Sequence, residues 1–340
     1  RLKQQVETSA DTPNELQSVS GIVGKSTAIE LLRMQIKQLA NSPYPVLIHG
    51  ESGSGKELAA QNLHSCSQRK EHPFLTLNCA AFNGELLASQ LFGHARGAFT
   101  GATESKPGFF EEAGQGTLLL DEIADLPIDL QAKLLRVLEN GEYYRVGETQ
   151  PRMSKARVLA ASNKNLIEAI DKGLFREDLY HRLSVLSIRV PSVNEREQDK
   201  LVLLEFFQQK LDQQLKSFVL DDESKKLWML YDFPGNVREL RNIIIRLSAK
   251  YPGQTIKKSV LEQEMMQLTS RHGDLNEMDV FRKNLKAKGF QLNDELKRIE
   301  KEYINLALQE SLNNMSKAAS MLGVNRSTLY GRMDRTEEMH

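Results

Sequence analysis

Between Gly21 and about Pro191, short aliphatic runs alternate with stretches in which apolar residues recur every three or four positions. The runs at 46–49, 74–78, 117–121, 158–162 and 185–190 read as strands. Strands that are apolar on both faces and separated by amphipathic helices are the pattern of a parallel sheet covered by helices. From Gln198 to about Met266 the β-branched runs fade and helical spacing takes over, with Leu203, Phe206, Phe207 and Leu211 spaced for one buried helix face. Residues 1–19 are polar without an apolar period, and 269–291 are polar and charged. The expected organisation is a linker at 1–19 following an N-terminal regulatory region, a sheet unit at 20–191, and a helical unit at 192–268. A second linker at 269–291 and a terminal helical unit at 292–335 complete it.

Charge changes this picture little. Lys plus Arg and Asp plus Glu both total 45, so any nucleic-acid surface must be local. No run approaches the roughly 20 apolar residues of a membrane span, and the polar start Arg1-Leu2-Lys3-Gln4-Gln5 lacks a signal-peptide core. A cytoplasmic location without membrane contact is expected. Cys66 and Cys79, the only cysteines, have no metal-ligand spacing and read as reduced thiols.

Chemistry enters at Gly50-Glu51-Ser52-Gly53-Ser54-Gly55-Lys56, between the apolar strand 46–49 and a helical stretch over 57–66. Glycines let the backbone curl its N–H groups toward phosphate oxygens, the helix adds its positive end, and Lys56 adds a point charge. Glu57 stands where Ser or Thr more often reaches Mg2+. The second element, Gly116-Thr117-Leu118-Leu119-Leu120-Asp121-Glu122, is an apolar strand ending in two carboxylates. Ligands in parallel sheets sit beyond the carboxyl ends of the strands. Asp121 there can hold Mg2+ through water, and Glu122 can polarise the water that attacks the γ-phosphate. The bland alternatives are a structural turn for the first element and a helix cap for the second. Together, in this order, they read as an ATP-hydrolysing site.

Between them lies Leu91-Phe92-Gly93-His94, running into Gly97-Ala98-Phe99-Thr100-Gly101-Ala102. A phenylalanine in so small-residued a tip is expected to be poorly buried and to meet a partner. The string resembles the GAFTGA loop of the bacterial sigma-54-dependent transcription activators, or enhancer-binding proteins, which are AAA+ ATPases. The resemblance covers about Val19 to Leu268, with a weaker match toward the C-terminus. It implies an α/β AAA+ parallel-sheet P-loop domain with an α-helical lid, followed by a small all-α helix-turn-helix domain. Residues 50–57 are similar to the family's phosphate loop, including the Glu after the Lys. Asn78 resembles the asparagine that couples the catalytic glutamate to the GAFTGA loop, and Asn163 resembles the polar sensor after the fourth strand. Residues 175–183 resemble the segment carrying the arginine fingers, Arg176 and Arg182. Residues 233–240 resemble the lid motif with Arg238 as second sensor. Arginines far from the phosphate loop in sequence, acting on a neighbour's nucleotide, imply a ring. The plainer roles are ion pairs of Arg176 or Arg182 with Glu177 or Asp178, an ion pair of Arg238 with Glu239, and a turn at Asn163. Gln90 departs from the family's usual Glu.

Near the C-terminus Leu296, Ile299, Tyr303 and Leu306 form one apolar stripe, suited to a core or to pairing with a second copy. Two helices then meet at Gly323, with Ala318 and Ala319 allowing close contact and Asn325 placed to cap the second. This resembles a Fis-type DNA-binding domain. Lys317, Asn325, Arg326, Ser327, Thr328, Tyr330 and Arg332 are its candidate double-stranded DNA contacts, in a segment with local positive charge.

The resemblance thus implies a transcription activator. It would bind upstream DNA as a dimer, assemble into a hexameric ring, and use ATP with Mg2+ to press residues 97–102 against sigma-54 RNA polymerase holoenzyme. Family members usually carry a receiver, GAF or PAS domain ahead of the ring, as in two-component systems. The alternative is a nucleotide- or ligand-responsive DNA-binding regulator that acts without remodelling sigma-54.

Overall fold

A computed structural model describes residues 21–196, 198–211, 216–269, 291–292, 296, 300, 303–304, 306–308, 311, 314–329 and 331. In chain order, helix α1 (Thr27–Leu39) leads to strand β1 (Val46–His49), helix α2 (Lys56–Ser65), β2 (Phe74–Asn78), α3 (Gly84–Phe92), α4 (Phe109–Glu112) and β3 (Thr117–Asp121). Helix α5 (Ile128–Asn140) and the short antiparallel pair β4 (Glu142–Tyr143) and β5 (Arg152–Met153) follow. Next come β6 (Arg157–Ser162), α6 (Leu166–Asp171), α7 (Glu177–Leu183) and β7 (Leu186–Arg189). Five of the strands form one parallel sheet in the order β2-β3-β6-β1-β7.

Alternation along β3 decides the two cores. Leu118 and Leu120 join Leu87, Phe92, Phe110, Leu134 and Leu179 on the face covered by α3, α4, α5 and α7. Leu119 points the other way, into Ile29, Leu32, Ile36, Ala60 and Leu63 from α1 and α2. Both faces are covered, so the central strands β3, β6 and β1 are buried almost throughout, while the edge strands β2 and β7 expose Thr76 and Ser187. Strand β6 begins one residue before the expected 158, because Arg157 is also buried. Its guanidinium donates to Leu39 O at 2.8 Å and to Ala40 O, taking up carbonyls at the end of α1. Desolvation draws its pKa down to about 10, so it remains charged at neutral pH. The last strand is shorter than expected, 186–189 rather than 185–190.

Helices α8 (Asp199–Leu211), α9 (Asp222–Leu230), α10 (Asn236–Lys250) and α11 (Lys258–Thr269) follow, with the two-residue pair β8 (Val219–Leu220) and β9 (Thr255–Ile256). Trp228, Phe218, Phe233, Leu240, Ile243, Ile244 and Leu247 are buried among them. Trp228 Nε1 donates to Lys200 O at 3.1 Å, and the buried Lys200 ammonium donates to Met229 O and Tyr231 O. Of the α8 stripe, Leu203 is buried, but Phe206, Phe207 and Leu211 stay half-exposed. Spacing identified an apolar face; the fold leaves part of it lining a cavity rather than a core.

The chain divides into two compact units, one ending at Met265 and one beginning at Met266, so the sheet and lid elements share a unit. The second has a small core of Ile304, Ala307, Ala318, Ala319 and Leu329. Its helix α12 (Met315–Met321) is capped by Asn314, whose Oδ1 accepts from Ser316 and Lys317 N–H at 3.2 Å each. Asn314→Ala is expected to lower the stability of this unit by about 1 kcal/mol. Chemical unfolding followed by probes in that unit checks it, and an unmoved midpoint would contradict the cap's role. Among the described residues, no helix is long and apolar enough to cross a membrane.

Candidate functional site

Strand β1 delivers the chain to the loop 50–55, and Gly55 stands at the N-cap of α2 with φ +109° and nothing within 4 Å of where a Cβ would be. Gly53 has φ +73°, and a Cβ there would lie 2.3 Å from Gly235 O. The loop is therefore curled tightly against the lid, as only glycine permits. Gly53→Ala is expected to force loop and lid apart and to weaken ATP binding at least about tenfold. Titration calorimetry measures this, and an unaltered affinity would show that the approach is not needed.

Lys56 opens α2 and is almost wholly buried; its ammonium donates to Gly50 O at 3.0 Å and Glu51 O at 3.2 Å. Burial lowers its pKa, while the fields of Glu122 and Asp121 oppose that shift. Ser54 Oγ is buried without a hydrogen-bond partner. A buried hydroxyl normally has one. The loop thus holds an orphan polar atom, a desolvated cation and a helix N-terminus, which together suit phosphate oxygens.

Asp121 ends β3, and its Oδ1 accepts from Glu122 N–H at 3.0 Å. Glu122 is held at φ 51° and ψ 49°, left-handed and costly for a non-glycine residue. Its carboxylate faces Asn163 N–H at 3.5 Å. Asn78 is the register partner of Asp121 on the neighbouring strand, with its Oδ1 accepting from Ala80 N–H at 2.8 Å.

A cavity of about 590 Å³ brings Ser52, Gly53, Gly55, Lys56, Glu57, Asp121, Glu122 and Arg238 together. Arg238 donates to Ser52 Oγ at 3.2 Å and is not paired with Glu239, which accepts instead from Gly235 N–H and Tyr231 OH. Asn163 lines an adjoining cavity with His49 and Arg189. Arg176 and Arg182 are not among the residues lining either cavity. Arg176 pairs with Asp178 at 2.6 Å, the plainer role expected for it, and Arg182 Nε donates to Leu138 O at 3.1 Å.

Several residues around the cavity escape sequence reasoning. Phe207, Leu211, Arg241, Asn242 and Ile245 complete its wall, and Phe206 and Phe207 with Val23 and Ile29 line a neighbouring, largely apolar cavity of about 220 Å³. Asn236, buried at φ +53°, donates to Glu51 Oε2 at 2.9 Å and Ser52 O at 3.1 Å while accepting from Val193 N–H. One amide thereby joins the phosphate loop, the lid and the segment after β7. In sequence it shows only as one member of the 233–240 stretch, where Asn tolerates the positive φ it adopts.

Residues 97–102 form a tight turn between α3 and α4, closed by Gly97 N–H to Ala102 O at 2.8 Å. Phe99 is 40% exposed, resting its ring edge on His94 at 5.0 Å between centroids, and Thr100 beside it is exposed. The base of the turn is stitched to the β4–β5 segment through Ala95 N–H to Val146 O and Val146 N–H to Gly93 O.

In the second unit Gly323 has φ +64°, and the Asn325 carbonyl accepts from Leu329 N–H as residues 326–329 turn helical. Lys317, Asn325, Arg326, Ser327 and Thr328 are exposed. Tyr330 and Arg332 lie outside the described residues. Leu296, Tyr303 and Leu306 are 55%, 63% and 54% exposed, so the stripe is not core within this chain; Ile299 lies outside the described residues.

Residues 22–189 match the family described as sigma-54 interaction domain, 194–277 the AAA+ ATPase lid domain, and 295–335 the bacterial regulatory protein, Fis family. The chain is 40% identical over 330 residues to the DNA-binding transcriptional regulator NtrC of Rhizobium meliloti (strain 1021), covering 91% of this chain and 68% of that protein. It is 38% identical over 331 residues to the transcriptional regulatory protein ZraR of Salmonella typhimurium, covering 97% and 72%. Among solved structures it resembles NtrX from Brucella abortus in complex with ATP, with TM-score 0.68 and 32% identity, over 93% of this chain and 69% of that one.

Proposed function

The chain belongs to the sigma-54-dependent transcription activators, and we propose that a ring of its copies turns ATP hydrolysis into promoter opening through the tip at residues 97–102. Membership brings AAA+ ATPase activity, sigma-54 interaction and a Fis-type DNA-binding domain. The observation that carries the mechanism is the separation of two formed features in one domain: an acid-ended nucleotide cavity and an exposed Phe99–Thr100 turn outside it.

In this reading Lys56 and Arg238 hold the phosphate chain of bound ATP. Glu122 orients a water and takes its proton, with Asn163 N–H fixing the carboxylate. Asn78, the register partner of Asp121, relays the state of Glu122 toward the loop. Asp121, with Glu122, would hold Mg2+ through water, and the ion when bound would supply positive charge to the phosphate oxygens. The adjacent carboxylates of Asp121 and Glu122 at the cavity, with no protein cage of three or more candidate ligands among the described residues, fit a cation held mainly by phosphate and water.

Arg176 is half-buried and Arg182 exposed, and neither lines the cavity of its own chain, which supports their use in a neighbour's pocket. A ring follows from that assignment, and the family resemblance makes it a hexamer. The exposed Leu296, Tyr303 and Leu306 suit pairing of two copies on DNA, with Lys317, Asn325, Arg326, Ser327, Thr328, Tyr330 and Arg332 toward the duplex. Such a protein works in the cytoplasm beside promoter DNA. Single-turnover promoter melting with purified sigma-54 polymerase tests the whole reading. ATP-dependent melting is expected, and DNA binding without it would overturn the proposed coupling.

A further inference from the structure

Gln131 is fully buried on α5, and its amide makes three hydrogen bonds, all to backbone. Nε2 donates to Leu126 O at 2.7 Å and Leu174 O at 3.1 Å, while Oε1 accepts from Arg176 N–H at 2.8 Å. These partners belong to two different pieces of machinery. Leu126 closes the single 3-10 turn begun at Glu122, with Asp125 N–H to Glu122 O at 2.9 Å and Leu126 N–H to Ile123 O at 3.2 Å. Arg176 is the residue from which α7 starts. Helix α5 also accepts Arg182 near its other end, through Leu138 O. At about 1.5 Å per residue this rod is about 20 Å long. It touches the turn beneath the acid and both arginines.

Leu130 and Leu134, the neighbours of Gln131 on α5, are core leucines. A third leucine would fill the same space without a polar group to desolvate. A buried amide in such a place is stable only with its groups paired, and here its pairing joins the acid's turn to the finger segment. We propose that Gln131 is a positioning residue that ties Arg176, offered to the next subunit, to the Glu122–Leu126 turn of its own nucleotide pocket. It rests on the reading of Arg176 as a finger supplied in trans. A shift of the turn moves Leu126 O, and Gln131 carries that movement to the start of α7. Each pocket thereby influences how well the adjacent one is completed.

The test uses the full chain and mixed assemblies. Gln131→Met keeps the length and bulk of the side chain but removes the amide. Rings of this variant are expected to lose about a hundredfold in kcat, the effect of an ångström-scale misplacement, with KM for ATP within about twofold. Mixing with Glu122→Gln subunits, which are expected to be inactive but present intact fingers, should restore at least about tenfold of that loss. Arg176→Ala mixed in the same way is the control for the finger itself. Recovery with Arg176→Ala and none with Gln131→Met overturns the proposal, as does an unchanged kcat for pure Gln131→Met. Absence of recovery with Arg176→Ala overturns the trans assignment on which it rests. Should Gln131→Met fail to bind ATP, Gln131→Asn takes its place, since it keeps the amide one methylene short of its partners; the same outcomes decide.

Discussion

Glu122→Gln is expected to lower ATP turnover by about a thousandfold while leaving ATP bound, because a positioned general base contributes on the order of 10²–10⁴. The swap keeps the shape of the side chain and removes only its capacity to take a proton. Glu122 occupies a left-handed conformation that its neighbours enforce: Asp121 Oδ1 takes its N–H, and its carbonyl accepts from Asp125 N–H. Strain of that kind, on the order of 1–3 kcal/mol, persists where surrounding contacts over-determine it. The arrangement aims one carboxylate into the cavity that Lys56 and Arg238 also line. Phosphate release measured beside the affinity for a fluorescent ATP analogue separates the two effects. A loss of turnover under tenfold would remove Glu122 from the role of base; a matching loss of affinity would make it a binding residue instead.

Thr100→Ala has a comparably large effect at a different place. The variant is expected to hydrolyse ATP within about twofold of the unaltered chain, while promoter opening falls by about a hundredfold or more, the size of a lost hot-spot contact of about 2–3 kcal/mol. Thr100 stands exposed beside Phe99 in the turn closed between Gly97 and Ala102, and it is not among the residues lining the nucleotide cavity. The change removes a hydroxyl and a methyl from an exposed position outside the nucleotide cavity, so ATP turnover is expected to change little. Fluorescent promoter melting with sigma-54 polymerase, run alongside ATP turnover, reads both quantities. Normal melting would remove the tip from contact with sigma-54. A parallel loss of turnover would show that the turn acts on the pocket rather than on a partner.

The two variants also illustrate which residues announce themselves in a sequence. The stretch 50–56, the Asp121–Glu122 strand end and the Gly97–Ala102 string are each contiguous. Their chemistry needs a particular local backbone, and glycine spacing or an abrupt end to an apolar run records that need directly. Helix α8 was legible only by half. The spacing of Leu203, Phe206, Phe207 and Leu211 marks one apolar face, yet the same period serves a face closed by protein and a face lining a cavity. The stripe at Leu296, Tyr303 and Leu306 repeats the lesson. Its period permitted core or partner, and its exposure in the fold leaves it outside the core. Arg176 shows the reverse case: its pairing with Asp178, two residues away, was among the alternatives visible in sequence.

Local pattern by itself determined the parallel strands, the curled loop that receives phosphate, the acids at the strand end and the turn that carries Phe99 and Thr100. These follow from interactions within a few residues, where steric limits on the backbone and the two-residue or 3.6-residue periods apply. Tertiary structure alone decided which distant groups meet. Asn236 reaches Glu51 across 185 positions, Arg157 reaches Leu39 across 118, and Gln131 joins Leu126 to Arg176 from the middle of an apolar helix. No period encodes such pairings. They arise because an unpaired buried polar group is costly once the sheet and its helices close, and only the packed chain specifies which partner is within reach.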